Sequence, residues 1–251
     1  MRSCGIGWLV VTLTVTMWSG CSTSDVVESA QTPEPPAAEA PAIVMVDDIS
    51  SDIITDSWAR LPLPRREQLD LDGQRAFDLI VTQGSRYESD LWGPVAMWIY
   101  SPLMAEHIFP TSSYLRFGTE KDQRLTELVI LATARELRSQ YEWTAHQPAA
   151  ERAGLEPAII ALVKTRGGLD TAGDIAGLGD RERTIIRFVR EVVSEEKLSS
   201  TTFRRARELL GERGVMDLAG LVGYYGFVNT TLKTFDLQVE PGRERLLPEL
   251  W

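Results

Sequence analysis

The chain has 251 residues, 43% of them hydrophobic, and a formal net charge of -10, which suits one substantial core with appendages. Eight of the 36 acids but only Arg2 of the 26 bases lie in residues 1–56, so the acidity belongs mostly to the N-terminal region. The absence of a basic block argues against a nucleic-acid partner. The two cysteines, Cys4 and Cys21, leave the rest of the chain without a disulfide or a thiolate nucleophile.

Residues 1–21 read as an export signal. Arg2 is followed by the apolar run Ile6 to Trp18, too short to span a bilayer comfortably and long enough for the core of a signal peptide. The run ends in "WSGC", Trp18 to Cys21, which resembles the lipobox of bacterial lipoproteins with Trp18 where an aliphatic residue is usual. Lipidation of Cys21 and a place in the bacterial cell envelope, on the periplasmic side of the outer membrane, are the expectation; ordinary secretory cleavage is the alternative. Residues 22–56 are acidic and rich in Ser, Pro and Ala, the composition of a disordered tether.

From residue 57 onward the apolar spacing is helical. It predicts helices at about 66–83, 102–116, 122–138, 140–153, 157–165, 180–195, 200–210 and 215–235, with an extended "FDLQVE" after the last. Pro94, Pro102 and Pro157 fall near helix starts, and Gly118, Gly154, Gly167 and Gly211 near ends. The expected fold for 57–251 is therefore all-α, a bundle of about six to eight helices. Gly220, Gly223 and Gly226 recur within the last helix, and their poor helix propensity predicts close packing at a core or subunit contact.

The richest stretch for chemistry is "ELVILATARELRSQYEWTAH", Glu127 to His146, which holds one of only two histidines. On one straight helix Glu127 and Glu142 would lie about 22 Å apart. Ser139 and Glu142 have the spacing of a capping box, however, and this predicts a new helix starting at Ser139 and a fold-back that lets Glu127 meet it. Glu142 and His146 then share a face, one turn apart, so three ionisable groups converge. Each has a plainer reading: Glu142 as the acid of the capping box, Glu127 as a first-turn acid, His146 as a surface or core imidazole paired with Glu142; Trp143 beside them reads as core packing. His107 has no comparable company and reads as a helix-surface residue.

The order Glu127-x11-Ser139-x2-Glu142-x3-His146 resembles, in register, the signature of alkyl hydroperoxidase D, in the carboxymuconolactone decarboxylase superfamily. The words "EL", "YEW", "H" and "AGL" in "RLTELVILATARELRSQYEWTAHQPAAERAGL" look more like the cysteine-free branch. The resemblance implies an AhpD-like helical subunit, association into homotrimers or homohexamers, and an acid/base pair at Glu127 and His146. Ser139 and Glu142 stand where the peroxidase members keep redox cysteines, and neither can cycle through sulfenate and disulfide.

The function expected from this reading is acid/base decarboxylation, or a related proton transfer, on a small carboxylated lactone or enol-type substrate. His146 is the acid, Glu127 orients it and Glu142 tunes it. Arg116 is the candidate for binding a substrate carboxylate, or else a surface ion-pair partner; Tyr141, Trp143 and Ser139 are the remaining substrate-binding candidates. No metal-ligand pattern or cofactor motif is read, so neither is expected. The rival from another class is a catalytically inert, envelope-tethered binding or assembly module. A thiol peroxidase would need a cysteine that the domain lacks.

Overall fold

The computed structural model describes residues 49–248; the export signal with Cys21 and positions 22–48 of the expected tether lie outside the described residues. The described residues form eight α-helices: α1 (Leu71–Ile80), α2 (Gly93–Trp98), α3 (Pro102–Ser113), α4 (Gln123–Glu136), α5 (Gln140–Arg152), α6 (Pro157–Lys164), α7 (Asp180–Ser194) and α8 (Ser200–Thr234). Among them there is no strand; "FDLQVE" is extended but joins the rest through single bonds, Gln238 N–H to the Trp58 carbonyl and Arg60 N–H to the Phe235 carbonyl, both 2.8 Å. The antiparallel bridge between Ile54 and Ala59 straddles the boundary placed at 56/57 from composition.

Helix α4 is the centre. Every residue from Leu125 to Arg135 is buried, the polar Thr126, Glu127, Thr133 and Arg135 included, because α5, α6, α7 and α8 pack around it. The Asp122 side chain caps its start, accepting from Leu125 N–H at 2.7 Å. Its end is a tight reversal. Arg138 takes a left-handed conformation (φ 56), and Ser139 N–H reaches back to the Ala134 carbonyl at 2.8 Å, the pattern that commonly closes helices with glycine at the left-handed position. Helix α5 ends the same way, with Gly154 in that role (φ 84) and Leu155 N–H on the Ala150 carbonyl at 2.9 Å.

The fold-back expected beside Ser139 is present, but the capping box that predicted it is not. The Ser139 side chain makes no capping bond, and Glu142 turns to His146 instead. The C-terminal segment braces this corner: Arg135 donates to the Pro248 carbonyl at 2.7 Å, and Leu247 is buried.

Two further differences from the expected helices matter, and one expectation holds. The hexapeptide α2, wholly buried, was too short to show a period. The two predicted C-terminal helices are both present within α8, which breaks at Gly211 (φ 71, ψ 175), the glycine expected near a helix end. Helix α3 continues into a π turn at Tyr114–Gly118, which buries Leu115 and carries Arg116. There a Cβ on Gly220 would lie 3.0 Å from Leu115, whereas Gly223 and Gly226 have nothing within 4 Å. Within this chain the close-packing account therefore holds for Gly220 alone.

Candidate active site

The α4–α5 corner brings the predicted triad together. Glu127 projects from α4 and Glu142 and His146 from α5; all three are buried, between 4% and 5% exposed. His146 Nδ1 lies 2.8 Å from Glu127 Oε2, and its Nε2 lies 3.4 Å from Glu142 Oε2. A third partner arrives from α8: the Tyr225 hydroxyl is 3.2 Å from Nε2, its ring edge-on to the imidazole with centroids 5.4 Å apart. Two carboxylates on one imidazole favour its charged form.

Burial alone would push the His146 pKa down, but the hydrogen bonds and charges of Glu127 and Glu142 outweigh it and hold the imidazolium above its ordinary 6.5. Burial drives the Tyr225 hydroxyl well above 10, with Arg116 pulling the other way, so the phenol stays protonated. Burial also works against the Arg116 charge, and neighbouring negative charge, that of Glu127 included, opposes the loss. The cluster of two acids, one imidazolium and one guanidinium is close to neutral overall, which limits the cost of burying it.

The ring borders a cavity of about 30 Å³, lined by Tyr141, Glu142, Tyr224 and Tyr225 among others and large enough for roughly one or two waters. Arg86, Tyr87, Val95, Arg116 and Tyr224 line both this cavity and a second one of about 330 Å³, the size of a small-molecule site. Arg86, Trp92, Tyr141 and Ala145 line both the small cavity and a third, of about 200 Å³. Arg116 thus stands at the join between the larger cavity and the imidazole. No acidic group lies within salt-bridge distance of it among the described residues, and its Nε is buried without a hydrogen-bond partner.

Two of the expected substrate contacts lie away from these cavities. Trp143 is fully buried, but its indole N–H donates to Gln147 at 2.8 Å and its ring lies under Lys164. It borders none of these cavities. Ser139 is buried at the corner and borders none of them either. Tyr141 does line the cavity, where Gly93 (φ 63) admits its hydroxyl: a Cβ there would sit 2.8 Å away.

Sequence reasoning missed Tyr225, Tyr224, Tyr87 and Arg86. The signal within reach was the doublet "GYYGF", two aromatic hydroxyls in a helix read only for its glycines. Among the described residues no group of three His, Cys, Asp or Glu side chains is arranged to hold a metal ion.

No family model matches the chain, and no curated protein matches it significantly. Among solved structures the chain is similar to a protein of Ralstonia eutropha JMP134 described as "alkylhydroperoxidase AhpD core: uncharacterized peroxidase-related protein". The TM-score is 0.54 and the identity 18%, and the match covers 72% of this chain and 92% of that one. This is an AhpD-like fold. The all-α class expected from the sequence holds, and at this identity the likeness concerns the fold alone.

Proposed function

We propose that the chain is an acid/base enzyme that decarboxylates, or moves a proton on, a small carboxylated lactone or enol-type substrate. The observation that carries this reading is the imidazole fixed between two buried carboxylates at the edge of a cavity, with a guanidinium that has no acidic partner among the described residues at the join to a larger one. Arg116 binds a substrate carboxylate in the larger cavity. Departure of CO2 leaves the electron pair of the broken C–C bond in a dienolate, and the imidazolium system returns a proton to carbon. Glu127 fixes the ring by accepting from Nδ1–H, and Glu142 helps to keep it charged. The chain then regains its proton from water.

A thiol peroxidase reading finds no support in the residues: Ser139 and Glu142 occupy the positions where it would need sulfur, and the cysteines are Cys4 and Cys21. We place the enzyme at the envelope, tethered through Cys21, as the N-terminal sequence suggests; labelling with a radioactive fatty acid that disappears in Cys21→Ser tests this. Turnover of carboxymuconolactone by the chain, followed by CO2 release, tests the chemistry. His146→Ala should lose about 10²–10⁴-fold in kcat, and unchanged turnover in that variant removes His146 as the acid. No turnover by the unaltered chain favours the inert module.

A further inference from the structure

We infer that Tyr225 is the group that hands the proton to the substrate carbon, with His146 as the proton reservoir behind it. The inference rests on the acid/base reading above and deepens it. His146 Nδ1 is held by Glu127, and Nε2 has both Glu142 and the Tyr225 hydroxyl within 3.4 Å. Both ring nitrogens are therefore taken by protein partners, so the ring's proton reaches a substrate through one of them. The neighbouring cavity of about 30 Å³ is too small for a carboxylated ring. The Tyr225 oxygen touches Nε2, and Tyr225 lines that cavity as His146 does; a hydroxyl can accept from Nε2–H and donate its own proton onward, so Tyr225 is placed to bridge the ring and a substrate carbon.

The helix that carries it is well fixed. The close approach of Gly220 to Leu115 sets α8 against the π turn bearing Arg116. The Tyr225 ring is further held edge-on by Tyr224, with centroids 5.2 Å apart. The carboxylate-binding cation and the donor are therefore positioned by one contact.

The step balances without an outside reagent. The Tyr225 O–H bond breaks as a C–H bond forms at the dienolate carbon, and the phenolate oxygen takes the Nε2 proton. The imidazolium becomes neutral and is recharged from water. A free phenolate in this buried place is costly, so the two transfers are concerted, with Arg116 stabilising the transient negative charge.

The test compares the full chain with Tyr225→Phe, and with 3-fluorotyrosine installed at 225, on carboxymuconolactone. Tyr225→Phe keeps the ring and the helix, and should lower kcat about 10²-fold with KM changed less than about twofold. The fluorinated phenol, a stronger acid of nearly the same shape, should alter kcat and its solvent isotope effect, which a packing role would leave unmoved. If the unaltered chain turns over substrate while Tyr225→Phe does so equally well, or if fluorination leaves kcat and the isotope effect unchanged, His146 delivers the proton directly and the relay is wrong. If the unaltered chain turns over nothing, the acid/base reading falls and the relay falls with it.

Discussion

Helix α4 carries two glutamates with side chains removed from solvent, Glu127 and Glu136, and their surroundings differ in kind. Glu136, whose side chain is 2% exposed, is bound by Arg166 at 2.8 Å and by the Ser194 hydroxyl at 2.6 Å, with Arg190 at 3.9 Å. It borders none of the cavities beside the imidazole. Its partners are permanent cations and a hydroxyl, none of which changes charge near neutral pH. Glu127 has an imidazole for a partner, the one side chain whose ordinary pKa lies in that range, and that imidazole faces a cavity. Burial and ion pairing are common to both sites; what separates structure from chemistry is a partner able to change charge beside space for a ligand.

The sharpest way to break this comparison is a pair of substitutions. Glu127→Gln should lower kcat on the proposed substrate by about 10²-fold, the scale of removing a group that orients a catalytic histidine, while the chain stays folded. Glu136→Ala should leave kcat per folded molecule unchanged and lower stability by about 2 kcal/mol. That is less than a fully buried pair would lose, because Arg166 is half exposed. Steady-state kinetics beside chemical denaturation reads both. An activity defect of equal size in the two variants would make Glu127 a structural residue like Glu136.

The comparison also has a pH signature. The folded pKa of His146 is raised, so its pairing contributes stability that is fully present below about pH 6.5 and is lost as pH rises through the folded value. In Glu127→Gln the main hydrogen-bonding anion is gone, and the stability gap to the unaltered chain should narrow on moving from pH 6 toward pH 9. Glu136→Ala, facing arginines, should show a gap that is flat over the same range. On the activity side kcat should fall as pH rises past the His146 value, and Glu127→Gln should move that limb to lower pH. A limb that stays in place excludes Glu127 as the anion that holds the imidazolium.

The sequence carried a good part of this. Helical spacing placed α4, α5, α6 and α7 nearly where they lie, because each is long enough to show its period. The meeting of Glu127, Glu142 and His146 was legible because it depends on one local event, the reversal between α4 and α5. Partners that come from far along the chain were not legible. Tyr225 reaches His146 only through the packing of α8 on α4, and Arg86 reaches the cavities from a loop without regular structure. Nor could spacing alone tell that Trp143 faces Lys164 and the core rather than the imidazole, since that depends on which side of α5 the neighbours take.

The smallest expected effect concerns how Glu142 is used. If Glu142 and Ser139 formed a capping box, Ser139→Ala would cost about 1 kcal/mol, the usual value of a cap. The Ser139 hydroxyl makes no such bond, and Glu142 sits within 3.4 Å of His146. Ser139→Ala should therefore cost less than about 0.5 kcal/mol, whereas Asp122→Ala, which removes a cap that is formed, should cost about 1 kcal/mol. Thermal denaturation of the two variants decides between them. Equal losses would mean that Ser139 caps α5 in solution and that Glu142 is drawn toward the helix start, leaving His146 with Glu127 and Tyr225 as its only close polar partners.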